Sequence, residues 1–145
     1  MTCEEVERMP AGVDLDELVA KLAMGWPVYL PEDGLHDGDT PRPHCCRWPT
    51  PGGDYERLMV YRPGGGGWWR PSGSVADAWE VVEAVSARVE SHGWAAFHLT
   101  MHSDGSCSCY FGTQWDGTGR AETMPLAVCR AAALWAIGGK EATQP

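Results

Sequence analysis

Residues 71–93, PSGSVADAWEVVEAVSARVESHG, decide the fold class that the sequence predicts. Apolar residues recur there at helical spacing and fall on one face, whereas the acidic residues fall elsewhere. Ser74 is a preferred N-cap residue, and Asp77 follows it three positions later, as in a capping box. Gly93 is a natural helix stop. The stretch therefore predicts an amphipathic helix over residues 74–92. Its apolar face comprises Val75, Ala78, Trp79, Val82, Val85 and Val89.

Two further helices are predicted on either side of this one. Residues 14–24 carry an apolar stripe at helical spacing and are followed by Gly25, a helix-ending residue. Residues 124–137 follow the N-cap candidate Thr123 and are apolar on two sides. A helix that is apolar on two sides is buried on two sides, so its second face is predicted to contact another copy of the chain. That predicted oligomer interface comprises Val128, Ala132 and Trp135.

A β-hairpin is predicted over residues 94–112. Apolar and polar residues alternate along residues 94–103, and Asp104-Gly105 is a strong signal for a two-residue turn. A two-residue turn would place His102 opposite Cys107, Thr100 opposite Cys109 and His98 opposite Phe111. In that register one sheet face collects side chains that zinc accepts as ligands. These candidate metal ligands are His98, His102, Cys107 and Cys109.

Other features of the hairpin weaken the zinc hypothesis. The spacing C-x-C at Cys107 and Cys109 is not a zinc-finger spacing, and the chain contains no C-x-x-C. A mixed sheet face packed beneath a helix would account for the same residues. Zinc stays an alternative at this level, and no cofactor is predicted.

Residues 31–67 are rich in proline and glycine, which interrupt both helices and strands. They predict a long insert with a single strand at residues 58–61 and a flexible hinge at residues 64–67. With its 145 residues, the chain is predicted to be one α/β domain. The expected architecture is an α-β-α sandwich with a small antiparallel sheet and three helices.

Charge and composition exclude several classes of protein. The formal net charge is −9, and the 11 lysines and arginines are scattered, so generic DNA or RNA binding is not expected. No apolar run reaches the ~18 residues of a membrane span, and the acidic N-terminus lacks a signal core. The sequence therefore predicts a cytoplasmic protein that does not enter a membrane. The six cysteines have irregular spacings and are expected to be mostly reduced.

Three separated blocks of the sequence resemble the phage ABA-sandwich domain proteins. The blocks are ELVAKLAMGW at residues 17–26, RPSGSVADAWEVVE at 70–83 and AETMPLAVCRAAALWA at 121–136. The resemblance implies an α-β-α sandwich that oligomerises. It also implies kinship with Thoeris anti-defence proteins, which sequester cyclic nucleotides such as cyclic ADP-ribose isomers without cleaving them. The insert at residues 31–67 departs from the family because it is longer than the usual linker.

Arginine must hold any anionic ligand, since the chain has only two lysines. Arg130 lies beside the buried stripe of the last helix, where it can either pair structurally or contact a phosphate. Arg120, in a glycine-rich loop, and Arg70, before the long helix, can reach the same anion. Trp26 or Trp69 can stack a base, although a wedge sealing the sandwich would also account for Trp69.

Three classes of function are open at this level. The first is a non-enzymatic phage protein that binds and sequesters a cyclic nucleotide immune signal. The second is a module that binds a host protein directly, and the third uses the His/Cys face to bind zinc. No hydroxyl or thiol has a locally supported histidine and acid partner, so no enzymatic activity is predicted.

Overall fold

The computed structural model describes residues 2–30, 43–49, 56–90, 97–112 and 117–142, with side chains to residue 138 in the last helix. The helices in this part of the chain are α1 (Cys3–Arg8), α2 (Val13–Leu22), α3 (Val75–Glu90) and α4 (Met124–Ala142). The strands are β1 (Val28–Tyr29), β2 (His44–Pro49), β3 (Glu56–Arg62), β4 (Gly65–Trp69), β5 (Phe97–Met101), β6 (Cys107–Phe111) and β7 (Gly119–Ala121). They form two sheets, ordered β1-β2-β3-β4 and β5-β6-β7. The predicted mixture of helices and strands is confirmed, but the described residues contain four helices and two sheets.

Helix α3 begins where its cap predicts. The Ser74 hydroxyl accepts a 3.3 Å hydrogen bond from the Asp77 amide. In a capping box the Asp77 carboxylate would accept from the Ser74 amide. Here it accepts from the Arg70 amide instead, and the Ser74 amide donates to the Arg70 carbonyl. The predicted stop at Gly93 lies outside the described residues.

The N-terminal part of the chain contains one unpredicted helix and one predicted helix. Thr2 and Glu5 form a complete capping box at the start of α1, which spans six residues. Helix α2 begins at Val13, one residue before the predicted start. It is followed by Gly25 with φ of 70°, the left-handed conformation that favours glycine after a helix.

The proline- and glycine-rich insert is not a single loop. Strands β2, β3 and β4 pair antiparallel, and β1 pairs with β2 in parallel. The predicted hinge at residues 64–67 is instead a turn followed by the first residues of β4. Glycine has little preference for strands, but β3 offers a full row of backbone partners, so pairing overrides local propensity. Residues 31–42 and 50–55 of the insert lie outside the described part.

The hairpin of β5 and β6 is present, but its register differs by one residue from the prediction. Met101 lies opposite Cys107. The loop holds three residues, with Gly105 at φ of 90° and the His102 amide bonded to the Ser106 carbonyl. This is the geometry of a three-residue hairpin with a glycine bulge. A slip of one residue moves the side chains of a strand to the other face relative to its partner.

The centre of the packing is α4, whereas the sequence pattern emphasised α3. Helix α4 packs against the other three helices and against β6 and β7, while β1 and β3 pack against α2. Both apolar faces of α4 are therefore covered by the same chain. Val128 and Ala132 are fully buried, so the prediction that they contact another subunit is wrong. Trp135 is half-buried, with the Arg88 guanidinium carbon 5.0 Å from its ring centroid.

A buried carboxylate joins α2 to the entry of α3. Asp16 is almost completely buried and accepts a 2.8 Å hydrogen bond from the Ser72 amide. Burial raises the pKa of Asp16 to about 6, because the hydrogen bonds from Ser72 only partly compensate for the loss of water. The folded protein therefore holds a proton on Asp16 more tightly than the unfolded chain does.

We expect Asp16→Asn to change how stability depends on pH. Between the ordinary carboxyl pKa of 3.8 and the folded value of about 6, the folded state binds more protons, so wild-type stability falls as pH rises. The fall amounts to about 2–3 kcal/mol and is complete above pH 6. Urea unfolding of both proteins at pH 4, 5, 6 and 7 should show this difference between the two curves.

Comparing the stability of the wild type with that of Asp16→Asn separates the contribution of Asp16 from those of the other carboxyl groups. Glu80 has the opposite effect, because its hydrogen bond with Arg62 lowers the pKa of Glu80, and that contribution is lost as pH falls. The wild type and Asp16→Asn share this contribution of Glu80, so it does not affect the difference between them. Parallel stability curves from pH 4 to 7 would show that Asp16 is not the group responsible.

Candidate functional site

Two of the predicted arginines meet where β7 enters α4. Arg120 lies in β7, and Arg130 lies two turns into α4. The Arg130 Nη1 group donates a 2.6 Å hydrogen bond to the Arg120 carbonyl. Its Nε and Nη2 groups donate to the Met9 carbonyl at 3.2 and 2.9 Å. Arg130 therefore ties β7 and the segment after α1 to α4.

Among the described residues, the hydrogen bonds of Arg130 use only part of its guanidinium. A guanidinium has five N–H donors, and three of those of Arg130 are used for the two carbonyls. The predicted structural and functional roles of Arg130 are thus compatible. Arg120 is exposed and contributes its carbonyl to this arrangement, so its own guanidinium lies at the surface.

The position of Arg120 depends on the glycine that precedes it. A Cβ atom at Gly119 would lie 2.2 Å from the Ala127 carbonyl oxygen and 2.5 Å from the Ala131 nitrogen. Real Cβ atoms essentially never come this close to other heavy atoms, so only glycine lets β7 lie this close to the backbone of α4. The glycine-rich sequence before α4 therefore has a packing role that places Arg120 beside Arg130.

A surface pocket of about 530 Å³ opens beside the two arginines, a size suited to a small molecule. Its wall combines two cations, one carboxylate, one hydroxyl and several apolar groups. The lining residues are Pro10, Ala11, Ser106, Arg120, Ala121, Glu122, Leu126 and Arg130. The arginines can contact an anion, and the carboxylate can accept hydrogen bonds from hydroxyl or amino groups. The first turn of α4 also points its amides towards this end of the helix.

The other predicted ligand-binding residues lie elsewhere. Trp69 is fully buried, and its Nε1 group donates a 3.0 Å hydrogen bond to Glu80, so the prediction that it stacks a base is wrong. Trp69 instead fills the core, as in the alternative interpretation in which it seals the sandwich. Trp26 packs on Trp69 with ring centroids 5.0 Å apart, and Arg70 is exposed before α3 without lining the pocket.

Sequence patterns missed a second group of charged and aromatic residues. Arg62, at the end of β3, donates two hydrogen bonds to Glu80 of α3, one of them at 2.7 Å. The guanidinium carbon of Arg62 also lies 5.4 Å from the Trp26 ring centroid. Glu80 thus pairs with both Arg62 and Trp69, which indicates a structural junction between the first sheet and α3. No local spacing could have revealed it, since the partners come from separate elements.

The predicted His/Cys face does not form. Cys107 and Cys109 are buried on the sheet face that also carries the odd-numbered residues of β5, whereas His98 stacks on Tyr110 on the other face, with ring centroids 4.5 Å apart. His102 also turns away from the core, with its Nε2 atom 2.8 Å from the Ser108 hydroxyl. Within the described residues there is no group of three potential metal ligands.

The buried thiols are poor nucleophiles. Burial raises the pKa of Cys109 to about 12 and that of Cys129 well above its usual range. Nucleophilic thiols need a lowered pKa and access to solvent. These cysteines therefore serve as small core residues and do not suit catalysis.

Comparison with family models places these features in a known group. The model of the phage ABA sandwich domain matches residues 17–133. The chain belongs to this family. The matched region of the phage ABA sandwich domain contains Gly119, Arg120 and Arg130, and it includes the strands formed by the insert.

Other comparisons add no relative to the family match. Searches of curated proteins and of solved structures give no significant match. In the part of the chain that the structure describes, no helix is both long enough and apolar enough to cross a bilayer.

Proposed function

We propose that this member of the phage ABA sandwich family binds a cyclic nucleotide immune signal and sequesters it without cleavage, in the cytoplasm of the infected cell. The observation that supports the proposal most is the pocket in which Arg120 and Arg130 converge beside the start of α4. Phosphates are the anions that arginine forks and helix N-termini bind best.

The rest of the pocket wall suits the other parts of a nucleotide. Glu122 can accept hydrogen bonds from ribose hydroxyls or an exocyclic amine, and Leu126 and Pro10 offer apolar surface to a base. The surface charge of this acidic chain repels phosphates at long range, but salt limits that repulsion to about 8 Å. Affinity would therefore come from short-range contacts inside the pocket.

The chemistry of the pocket favours binding over catalysis. Its described lining includes one carboxylate and one hydroxyl but no histidine and no cysteine. The Ser106 hydroxyl donates to the Asp104 carboxylate at 2.7 Å, and Asp104 is not among the residues that line the pocket. The proposal is therefore a sponge that holds its ligand intact.

Recovery of the bound ligand tests this proposal. Purified protein is incubated with cyclic ADP-ribose isomers, separated from free ligand and then denatured by heat, and the released compounds are identified by mass spectrometry. The expected result is the intact cyclic nucleotide in near-stoichiometric amount. Release of linear products would indicate an enzyme. If no nucleotide is released, the protein does not bind the cyclic ADP-ribose isomers, and the proposal is wrong.

A further inference from the structure

A second, smaller cavity also has Arg120 in its wall. Its volume is about 290 Å³, and its described lining residues are Glu7, Thr118 and Arg120. Pockets that hold a whole small molecule usually measure about 300–1,000 Å³, so this cavity has room for one part of a ligand. Because Arg120 also lines the pocket of 530 Å³, a ligand that Arg120 holds can extend into both spaces. The smaller space is called the Glu7 cavity below.

Helix α4 brings two walls of the Glu7 cavity together. Val6 of α1 is fully buried in a small apolar cluster that includes Leu134 of α4. Gly117 lies against the same Leu134, since a Cβ atom at Gly117 would be only 2.5 Å from the Leu134 Cβ atom. Glu7 and Thr118 directly follow these two anchored residues in the chain. Packing on one turn of α4 therefore holds both residues near each other.

Arg130 provides a second link between α1 and β7. Its guanidinium donates hydrogen bonds both to the carbonyl of Met9, the residue that follows α1, and to the carbonyl of Arg120. Helix α1 is thus fixed to the rest of the chain at Val6 and at Met9, on either side of Glu7. A site between anchored elements is preorganised, so a ligand that binds there has little ordering to impose.

The stability of α1 does not account for Glu7. Glu4 and Glu5 lie in the first turn, where acidic residues are favourable, and Glu5 completes the capping box. Glu7 is exposed and lies towards the other end of this six-residue helix, where an acidic residue gains nothing from the helix dipole. Helix α1 also precedes residues 17–133, which the family model matches. Glu7 is therefore a feature of this chain that the family match does not imply.

The side chains around the Glu7 cavity indicate which chemical group fits there. An ionised carboxylate only accepts hydrogen bonds, whereas a guanidinium only donates them. Glu7 would repel a phosphate, and Arg120 would repel an ammonium group. A hydroxyl group suits both, because it can donate to Glu7 and accept from Arg120, and the Thr118 hydroxyl can do either. The cavity therefore suits an uncharged group that carries hydroxyls.

We propose that the Glu7 cavity binds the hydroxyls of a ribose in the nucleotide whose phosphate Arg120 holds, an inference that rests on the proposed function. A ribose carries its hydroxyls within one sugar ring of its phosphate, so one ligand can contact Arg120 and Glu7 together. Glu122 of the larger pocket is then left for the exocyclic amine of the base. Glu7 selects ribose over deoxyribose, because a ligand without the hydroxyl leaves the carboxylate desolvated and without a partner.

Isothermal titration calorimetry with a cyclic ADP-ribose isomer and with analogues that each lack one ribose hydroxyl tests this inference. The wild type is expected to bind the parent compound at least about tenfold more tightly than one of the analogues. Glu7→Ala is expected to bind the parent about tenfold to a hundredfold more weakly and to lose that preference. Glu4→Ala is the matched control, because Glu4 is also exposed on α1 but does not line the Glu7 cavity.

The possible outcomes separate this inference from the proposed function. Both variants should melt within about 2 °C of the wild type, since the two side chains are exposed. A wild type that binds every analogue as tightly as the parent would overturn the inference alone. So would a Glu7→Ala protein that keeps the affinity of the wild type or its preference among the analogues. A wild type that binds no cyclic ADP-ribose isomer would overturn the proposed function and this inference together.

Discussion

Gly119→Ala is expected to destabilise the protein by about 3 kcal/mol or more, which lowers the melting temperature by about 10 °C. The added methyl group would overlap the Ala127 carbonyl and the Ala131 nitrogen of α4, and neither backbone atom can turn away as a side chain would. Strand β7 must therefore move off the helix. Differential scanning calorimetry measures the loss.

Gly67→Ala is the matched control for this substitution. Gly67 is also a strand glycine, but a Cβ atom there would meet nothing within 4 Å, and its φ is not in the left-handed region. Its melting temperature should stay within about 2 °C of the wild type. If Gly119→Ala melts like Gly67→Ala, β7 does not lie against α4 as described.

Arg120→Ala is expected to weaken cyclic nucleotide binding by about tenfold to a hundredfold without changing stability. A hydrogen bond to a charged group contributes about 1.5–3 kcal/mol, and the Arg120 side chain is exposed, so its truncation should cost the fold little. Isothermal titration calorimetry with a cyclic ADP-ribose isomer gives the affinity. Arg70→Ala is the control, because Arg70 is also exposed but lies outside the pocket.

Substitutions of Arg130 should separate its two roles. Arg130→Ala removes a cation from the pocket and three hydrogen bonds to the carbonyls of Met9 and Arg120, so both affinity and stability should fall. Arg130→Lys keeps the charge but loses the fork of donors, so it should retain part of the affinity. Equal affinities for wild type, Arg120→Ala and Arg130→Ala would place the ligand elsewhere.

The features that the sequence predicted well are those determined by neighbouring residues. Ser74 begins α3 because its hydroxyl bonds an amide three residues away, and Gly25 follows α2 because it adopts the left-handed conformation there. Arg120 and Arg130 lie close together for a similar reason. They are ten residues apart, across the junction between β7 and α4, so local structure keeps them close.

The features that were missed depend on distant parts of the chain. The strand formed by the glycines of β4 needs β3 beside it, and the Met9 carbonyl that holds Arg130 is 121 residues away. A turn of three residues instead of two at Gly105 was enough to separate the histidines from the cysteines. The second apolar face of α4 was interpreted as a subunit contact, but Val128 and Ala132 belong to the main core of the same chain and Trp135 meets Arg88 of α3.

Native mass spectrometry of the wild type with a cyclic ADP-ribose isomer shows whether the chain binds this nucleotide and keeps it intact. It weighs the complex, so it reports binding and the intactness of the ligand in one spectrum. The expected result is a mass increase equal to one intact ligand per chain for the wild type and for Arg70→Ala, and a strongly reduced increase for Arg120→Ala. An unchanged mass for the wild type, or an increase that matches a cleaved product, would contradict it.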